Sequence, residues 1–390
     1  MNSQIEYRPL DPATIQNPFQ VFEDLRKSKP VFWHDQMQSW VVSKYNDCQE
    51  VLKNYHVFAR DPRRVGREMA EDRRNIQTQD PPEQAELRKI IMMALHHQDI
   101  NGICARVRSN FQDKILEISK FGTFNLMDIA GPFAIEIINS IVGSVEYSIE
   151  TYRPIFRGLT RAMDSGLDIS RLEPGRAAGR QLSDSIKTWF TLPATNGMLA
   201  ELQHNKSIKS MPQHYVYNTL GGVFNAGFST LYASAGSTIL LLLERPDVVQ
   251  KLKKQDTLVT GADELLRYIS PAQATSRFVI SDTVLSGVKI PAGSTVITLL
   301  ASANRDPEVF EDPDEIKVDR RPNPHLALAW GPHVCLGGQL ARAWIVEIIR
   351  MFFEIGDHIR LANTPMYMDS ATLRNIVDLQ IGITSPKSLV

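Results

Sequence analysis

With 390 residues, 43% of them hydrophobic, and a formal net charge of −1, the chain can bury a large core and has no basic surplus with which to grip nucleic acid. Its three cysteines imply a reducing compartment rather than a disulfide framework. The opening Met1-Asn-Ser-Gln-Ile-Glu-Tyr-Arg8 has no apolar run of the kind a signal peptide or membrane anchor needs, so a cytoplasmic protein that engages no membrane is expected.

No Ser/Gly-rich or Pro-rich linker interrupts the chain, and a single unit over 1–390 is the simplest organisation. Near the start, Asn17 reads as a cap and Pro18 as a first helical position, with Phe19, Phe22 and Leu25 on one face. Residues 31–34 and 40–43 read as a hairpin, and a helix follows from Asn46. Arg63, Arg64, Arg67, Arg73 and Arg74 alternate with Glu68, Glu71 and Asp72 in a charged, irregular stretch, best read as solvated and largely self-neutralised, although an arginine fork also suits an acidic substrate.

Asp80-Pro-Pro-Glu-Gln84-Ala-Glu-Leu-Arg88 opens another helix, and the i, i+4 spacing sets Gln84 and Arg88 on one face. Residues 124–190 are mostly amphipathic helix, with Gly166, Gly175 and Gly179 as turns or breaks. The stretch of about 215–243 carries no charge and predicts a helix buried on most of its surface. Its glycines, Gly221, Gly222 and Gly227, each weaken a helix by about 1 kcal/mol relative to alanine and allow a local widening. Glu264 and Arg267 share one side of a later helix, Arg277 leads into a strand, and residues 284–290 read as strand, glycine turn, strand. Residues 359–362 and 377–383 read as closing strands.

The segment 325–338 holds the chain's most informative residue. Gly331 and Pro332 break regular structure ahead of Cys335, Gly337 and Gly338 follow it, and residues 340–353 are apolar at helical spacing. A loop thus delivers one thiol to a helix N-terminus, where free N–H groups favour the thiolate. Such a thiolate is a nucleophile or a metal ligand. Cys48 and Cys104 are too distant in sequence to complete a zinc site with it.

This loop resembles the haem-binding segment of the cytochrome P450 family, Phe-Gly-x-Gly-x-His-x-Cys-x-Gly. Gly331, His333, Cys335 and Gly337 match, while Leu328 replaces the phenylalanine and Ala329 the first glycine. The resemblance continues in order along the chain. Asp80 to Arg88 resembles the family's Asp-Pro-Pro-x-His-x-x-x-Arg, with Gln84 in place of the histidine. Ala226, Gly227 and Thr230 match the central-helix pattern Ala/Gly-Gly-x-Asp/Glu-Thr, with Ser229 in place of the acid, and Glu264, Arg267 and Arg320 match its Glu-Arg-Arg triad.

The resemblance implies the mainly α, triangular cytochrome P450 fold with a minor β region, and haem b (iron protoporphyrin IX) as cofactor. Cys335 would be the proximal thiolate ligand, and Arg88, Gln84, Arg277 and His333 would hold the propionates. Thr230 would steer protons to the reacting oxygen, and residues around 154–175 would form a mobile lid. The implied activity is monooxygenation of a small organic substrate in secondary metabolism by a monomeric enzyme taking electrons from a ferredoxin or flavin reductase. Ser229 is the informative departure, because a hydroxyl passes a proton but holds none in reserve as a carboxylate does. It admits a relay rebuilt through Ser229 and water, a substrate that supplies the polar group, or oxidative coupling or peroxide-driven chemistry. A serine merely tolerated by bonding back to a carbonyl, and a non-catalytic haem sensor, are further readings.

Overall fold

The computed structural model describes residues 6–120, 122–144, 147–254 and 257–383. Its centre is the helix Gln213–Glu244, 32 residues long. A segment so free of charge can be enclosed on all sides, and the helices Leu126–Val142 and Gly338–Ile355 both pack against it. Trp344, fully buried, donates its indole N–H to the Leu231 carbonyl at 3.1 Å and fixes the second contact. By length and composition this helix could cross a membrane, but 72% of its most apolar window is buried inside the protein.

Two of its glycines lie where helices touch. A Cβ at Gly227 would fall 2.5 Å from Ile138 Cδ1, and one at Gly236 would fall 2.6 Å from Met127 Sδ. The helix is continuous through 221–230, so the widening expected there is not formed, and Gly227 instead lets the helix Leu126–Val142 approach closely. At its C-terminal end Arg245 caps it and Pro246 opens the next helix, Pro246–Lys254, since proline is suited to a first helical turn.

The β region gathers strands that are far apart in sequence. A five-stranded sheet runs in the order Val31–His34, Ser39–Val42, Thr295–Leu299, Ala274–Val279, Phe58–Ala59. The first two strands form the expected hairpin, and Ser39–Val42 pairs in parallel with Thr295–Leu299. The strand Phe58–Ala59 pairs antiparallel with Ala274–Val279, with Ala59 opposite Phe278. A smaller sheet joins Phe124–Asn125, Gln380–Ile383 and Ile359–Leu361, which closes the C-terminal end onto the helical body.

The helices Ile149–Ala162 and Leu172–Thr191 lie side by side. A Cβ at Gly175 would sit 2.1 Å from Ala162 Cβ, and one at Gly158 would sit 2.9 Å from Ala178 Cβ. Gly175 and Gly179 therefore stand inside a helix and are not breaks in it, and at Gly175 the reason is interhelical contact. The connection between these helices is bonded to the C-terminal segment. The buried Asp164 carboxylate accepts from Ser370 Oγ at 2.8 Å, the Ala371 N–H at 3.0 Å and Thr372 Oγ1 at 2.7 Å. Arg171 donates to the Asp369 carbonyl at 2.6 Å and to its carboxylate at 3.2 Å.

Candidate active site

The cysteine loop is held from both ends. Asn304 Oδ1 accepts the Leu326 N–H at 2.6 Å, and the Cys335 N–H donates to the Leu328 carbonyl at 2.8 Å, closing the turn on itself. Gly331 takes φ +72°, and a Cβ there would meet the Leu52 carbonyl oxygen at 2.6 Å, so only glycine fits. Ala329 also lies in the left-handed region, at φ +57°, where a Cβ costs roughly 1–2 kcal/mol. Ala329→Gly is therefore expected to stabilise the protein. The gain, about 0.5–1 kcal/mol after the extra freedom of glycine in the unfolded chain is subtracted, is read as a higher urea midpoint.

Cys335 is exposed, yet protein surrounds its thiol closely enough that burial pushes the pKa up. Opposing the burial, the Gly337 N–H is directed to the sulfur and the guanidinium groups of Arg88 and Arg342 favour its anion. Free N–H groups at the start of the helix Gly338–Ile355 act in the same sense.

The helix Ala85–His96 begins at Ala85, later than Asp80, with Gln84 as its cap residue. Gln84 is buried and donates an amide N–H to the Pro332 carbonyl at 3.2 Å, while its Oε1 has no partner among the described residues. One turn on, Arg88 donates to the Val334 carbonyl. The two residues read from sequence as sharing a face do so, and that face steadies the cysteine loop.

His333 bonds Asp80 through Nε2 at 2.8 Å. Burial lowers the imidazole pKa, and the neighbouring Arg277 and Arg60 lower it further against the opposing pull of Asp80. Burial alone would raise the Asp80 carboxyl, but the bonds from His333 and from the backbone N–H groups of Asp61 and Arg60 outweigh it and hold the carboxyl below the ordinary range. Arg277 is buried in the sheet, and desolvation followed by repulsion from Arg60 pushes its pKa well down. Sequence reasoning missed Asp80 and Arg60 as members of this cluster. Asp80 looked like a helix opener, and nothing in sequence separates Arg60 from the solvated arginines that follow it.

Those following arginines are tied down. Arg63 pairs with Asp61 and Glu83, Arg64 donates to the Tyr55 carbonyl, and Arg67 donates to the Gly293 carbonyl. Asn218 on the central helix donates to the carbonyls of Glu71 and Arg74 and pins the segment over that helix.

Ser229 and Thr230 stand on the central helix and make no hydrogen bond to the cysteine cluster among the described residues. Both hydroxyls turn back to the helix. Ser229 donates to the Ala226 carbonyl at 3.2 Å, and Thr230 donates to Ala226 at 2.8 Å and Gly227 at 3.2 Å. The same helix receives the Tyr152 hydroxyl on Asn225 Oδ1 at 2.7 Å.

Behind the loop, Glu264 is fully buried and is gripped by Arg267 through Nε and Nη2, both at 2.8 Å, and by Arg320 Nε at 3.1 Å. Arg267 also donates to the carbonyls of Asn304 and Pro313 at 2.8 Å. Asn304 is thus bonded to the triad through its carbonyl and to the cysteine loop through its side chain.

An exposed cysteine whose thiol has Arg88, Arg342 and the Gly337 N–H beside it suits a thiolate metal ligand, and the nearby positive charge of Arg277 and Arg60 suits a cofactor carrying carboxylates. Both properties fit the haem-thiolate class that the family resemblance implies. The comparisons agree. The cytochrome P450 family model matches residues 11–169 and 191–350. Cytochrome P450 109 of Bacillus spizizenii is 30% identical over 336 residues, covering 83% of this chain and 81% of its own. Among solved structures, the bacillaene polyketide synthase cytochrome P450 PksS of Bacillus subtilis superposes with a TM-score of 0.85 at 23% identity, covering 97% of this chain and 100% of its own. CYP109E1 of Bacillus megaterium, solved in complex with testosterone, superposes with a TM-score of 0.84 at 26% identity, covering 96% and 100%. The chain belongs to the cytochrome P450 family, and with it to the haem-thiolate monooxygenases.

Proposed function

We propose that this enzyme is a cytoplasmic monomer, one unit over 1–390, that inserts one atom of dioxygen into a small organic substrate of secondary metabolism. Its electrons come from a ferredoxin or a flavin reductase. The observation that carries this reading is the Cys335 thiol, reachable yet flanked by Arg88, Arg342 and the Gly337 N–H. The bound cofactor, haem b, supplies the oxygen-activating chemistry. Cys335 would ligate its iron, and Arg277, His333, Arg88 and Gln84 would hold its propionates. Gln84 keeps a second amide hydrogen beyond the one bonded to Pro332. The lid is the helix pair Ile149–Ala162 and Leu172–Thr191 with the turn between them. The relative solved with testosterone favours a bulky, largely apolar substrate. The test is reduction of the haem-loaded protein under carbon monoxide, followed by turnover with ferredoxin and reductase. Absence of the red-shifted ferrous-carbonyl band of a thiolate haem would refute it.

On the central helix, Thr230 and Ser229 would form an altered proton relay. Each hydroxyl rests on a helix carbonyl, and rotation about χ1 frees it to pass a proton with water. Ser229→Asp, which restores the family's acid, is expected to raise the share of electrons recovered in product about two- to tenfold, well below the roughly 10²–10⁴-fold that a positioned acid-base group contributes to a rate, because Ser229 and water already carry part of the relay. It is measured as product formed per NADPH consumed. Unchanged coupling would remove the relay and favour the second reading, oxidative coupling or peroxide-driven oxidation, which the carbonyl-bonded Ser229 also suits. Turnover with hydrogen peroxide in place of reductase separates the two.

A further inference from the structure

The strand Phe58–Ala59 pairs antiparallel with Ala274–Val279, Phe58 opposite Val279 and Ala59 opposite Phe278. Arg60 follows directly on this strand, where its backbone N–H leaves the ladder for the Asp80 carboxylate at 3.0 and 3.1 Å. Like charges brought close together repel, and here the guanidinium groups of Arg60 and Arg277 crowd onto the same acceptors. Arg60 Nη1 donates to Thr275 Oγ1 at 3.1 Å and the Ser276 carbonyl at 3.2 Å, and Arg277 Nη1 donates to the same two oxygens at 3.4 and 2.8 Å. For each, Nη2 has no hydrogen-bond partner among the described residues. Arg60 is further held by its Nε on the Gln77 carbonyl at 2.9 Å.

The local charge does not balance. Asp80 is the single carboxylate that acts on both arginines among the described residues, and it is already engaged by His333 and by two backbone N–H groups. Arg277, buried, and Arg60, half-buried, face one occupied carboxylate, and a further anion would balance them. Elsewhere on this cluster the family pattern has lost a cation, because Gln84 stands where a histidine is usual.

We propose that Arg60 is a haem-propionate anchor, forming with Arg277 a two-guanidinium clamp that restores the positive charge missing at Gln84. This rests on the haem-thiolate reading above. Arg60 falls outside every motif that carries that reading, and its position is set by its bonds to Asp80, Gln77, Thr275 and Ser276.

The test is transfer of haem from the holoenzyme to excess apomyoglobin, followed optically, with reduction potentials measured alongside. Loss of one charge-assisted bond predicts that Arg60→Gln releases haem on the order of tenfold faster than wild type. Its potential should shift to lower values, since a removed cation no longer favours the added electron. Arg60→Lys loses the same guanidinium bonds but keeps the charge, and should stay near wild type. A purely structural role would make the two variants equally damaging. Arg60→Gln combined with Gln84→His should recover slow release, and Arg67→Gln, a cation of the same segment bonded to Gly293, should change nothing.

Haem release from Arg60→Gln no faster than from Arg67→Gln overturns the proposal while leaving the haem-thiolate reading intact. If Arg60→Gln is not recovered folded, a tenfold faster release from Arg60→Lys overturns it equally. A wild-type protein lacking the thiolate carbonyl band fails earlier and refutes the haem-thiolate reading itself.

Discussion

Cys335→Ser is expected to abolish monooxygenase turnover and the thiolate carbonyl band while leaving the fold in place. A serine is close to cysteine in size, and the backbone N–H of residue 335, bonded to the Leu328 carbonyl, is what holds the turn. What changes is the ligand. The thiol is held neutral by burial, but the Gly337 N–H, Arg88 and Arg342 all favour its anion, so binding of a metal can displace the proton. A serine hydroxyl, with a far higher pKa, yields its proton much less readily and is a poor match for iron in this setting. The measurement is the carbonyl spectrum together with the far-ultraviolet circular dichroism of the variant. An unchanged carbonyl band would place the iron ligand elsewhere and remove the basis for the proposed chemistry.

Glu264→Gln is expected to lower stability by about 3–5 kcal/mol, the cost of leaving buried charge uncompensated. Arg267 is as buried as the glutamate it grips, and Arg320 adds a second guanidinium at 3.1 Å. The Lys317 N–H and Asn323 Nδ2 complete the shell around the carboxylate at 2.9 and 3.3 Å. A glutamine keeps the volume, but it turns an N–H toward donors and leaves two cations without an anion. Against a total stability of about 5–15 kcal/mol, such a loss brings the protein to the edge of unfolding. Urea denaturation of the haem-free protein measures it. A loss under about 1 kcal/mol would show that the carbonyls of Asn304, Pro313 and Glu315, all bonded to Arg267, suffice to hold its charge.

Much of this was legible in the chain because local signals agreed with the fold. The helix expected from Pro18 stands at Phe19–Ser28, one residue later: Pro18 is its cap residue rather than its first helical position, and Asn17 Oδ1 accepts the Phe19 N–H at 3.3 Å from one residue further out. The charge-free stretch proved to be the central helix, the hairpin forms with its second strand one residue earlier, at Ser39–Val42, and the Glu264 triad assembles as the family resemblance implied. What was not legible depends on pairing over long separations. The parallel contact of Ser39–Val42 with Thr295–Leu299 joins residues some 250 positions apart, and no local pattern encodes it. Arg60 illustrates the consequence. As a letter it matches Arg63 or Arg67, and only its bonds to the distant Thr275 and Ser276 set it apart. Glycines were ambiguous in the same way, since Gly175 and Gly227 read as weakness but serve contact between helices.

The bonds around Asp164 give the proposed lid two unlike edges. Along one edge the helices Ile149–Ala162 and Leu172–Thr191 interlock through Gly158, Ala162, Gly175 and Ala178, an apolar seam indifferent to dissolved ions. Along the other, Arg171 meets Asp369, with Arg161 reaching the same carboxylate at 3.2 Å, and such partly exposed pairs weaken as ions accumulate. The helices should therefore swing together as one flap. Raising ionic strength should hasten entry of a neutral ligand, measured by stopped flow, without softening the flap itself.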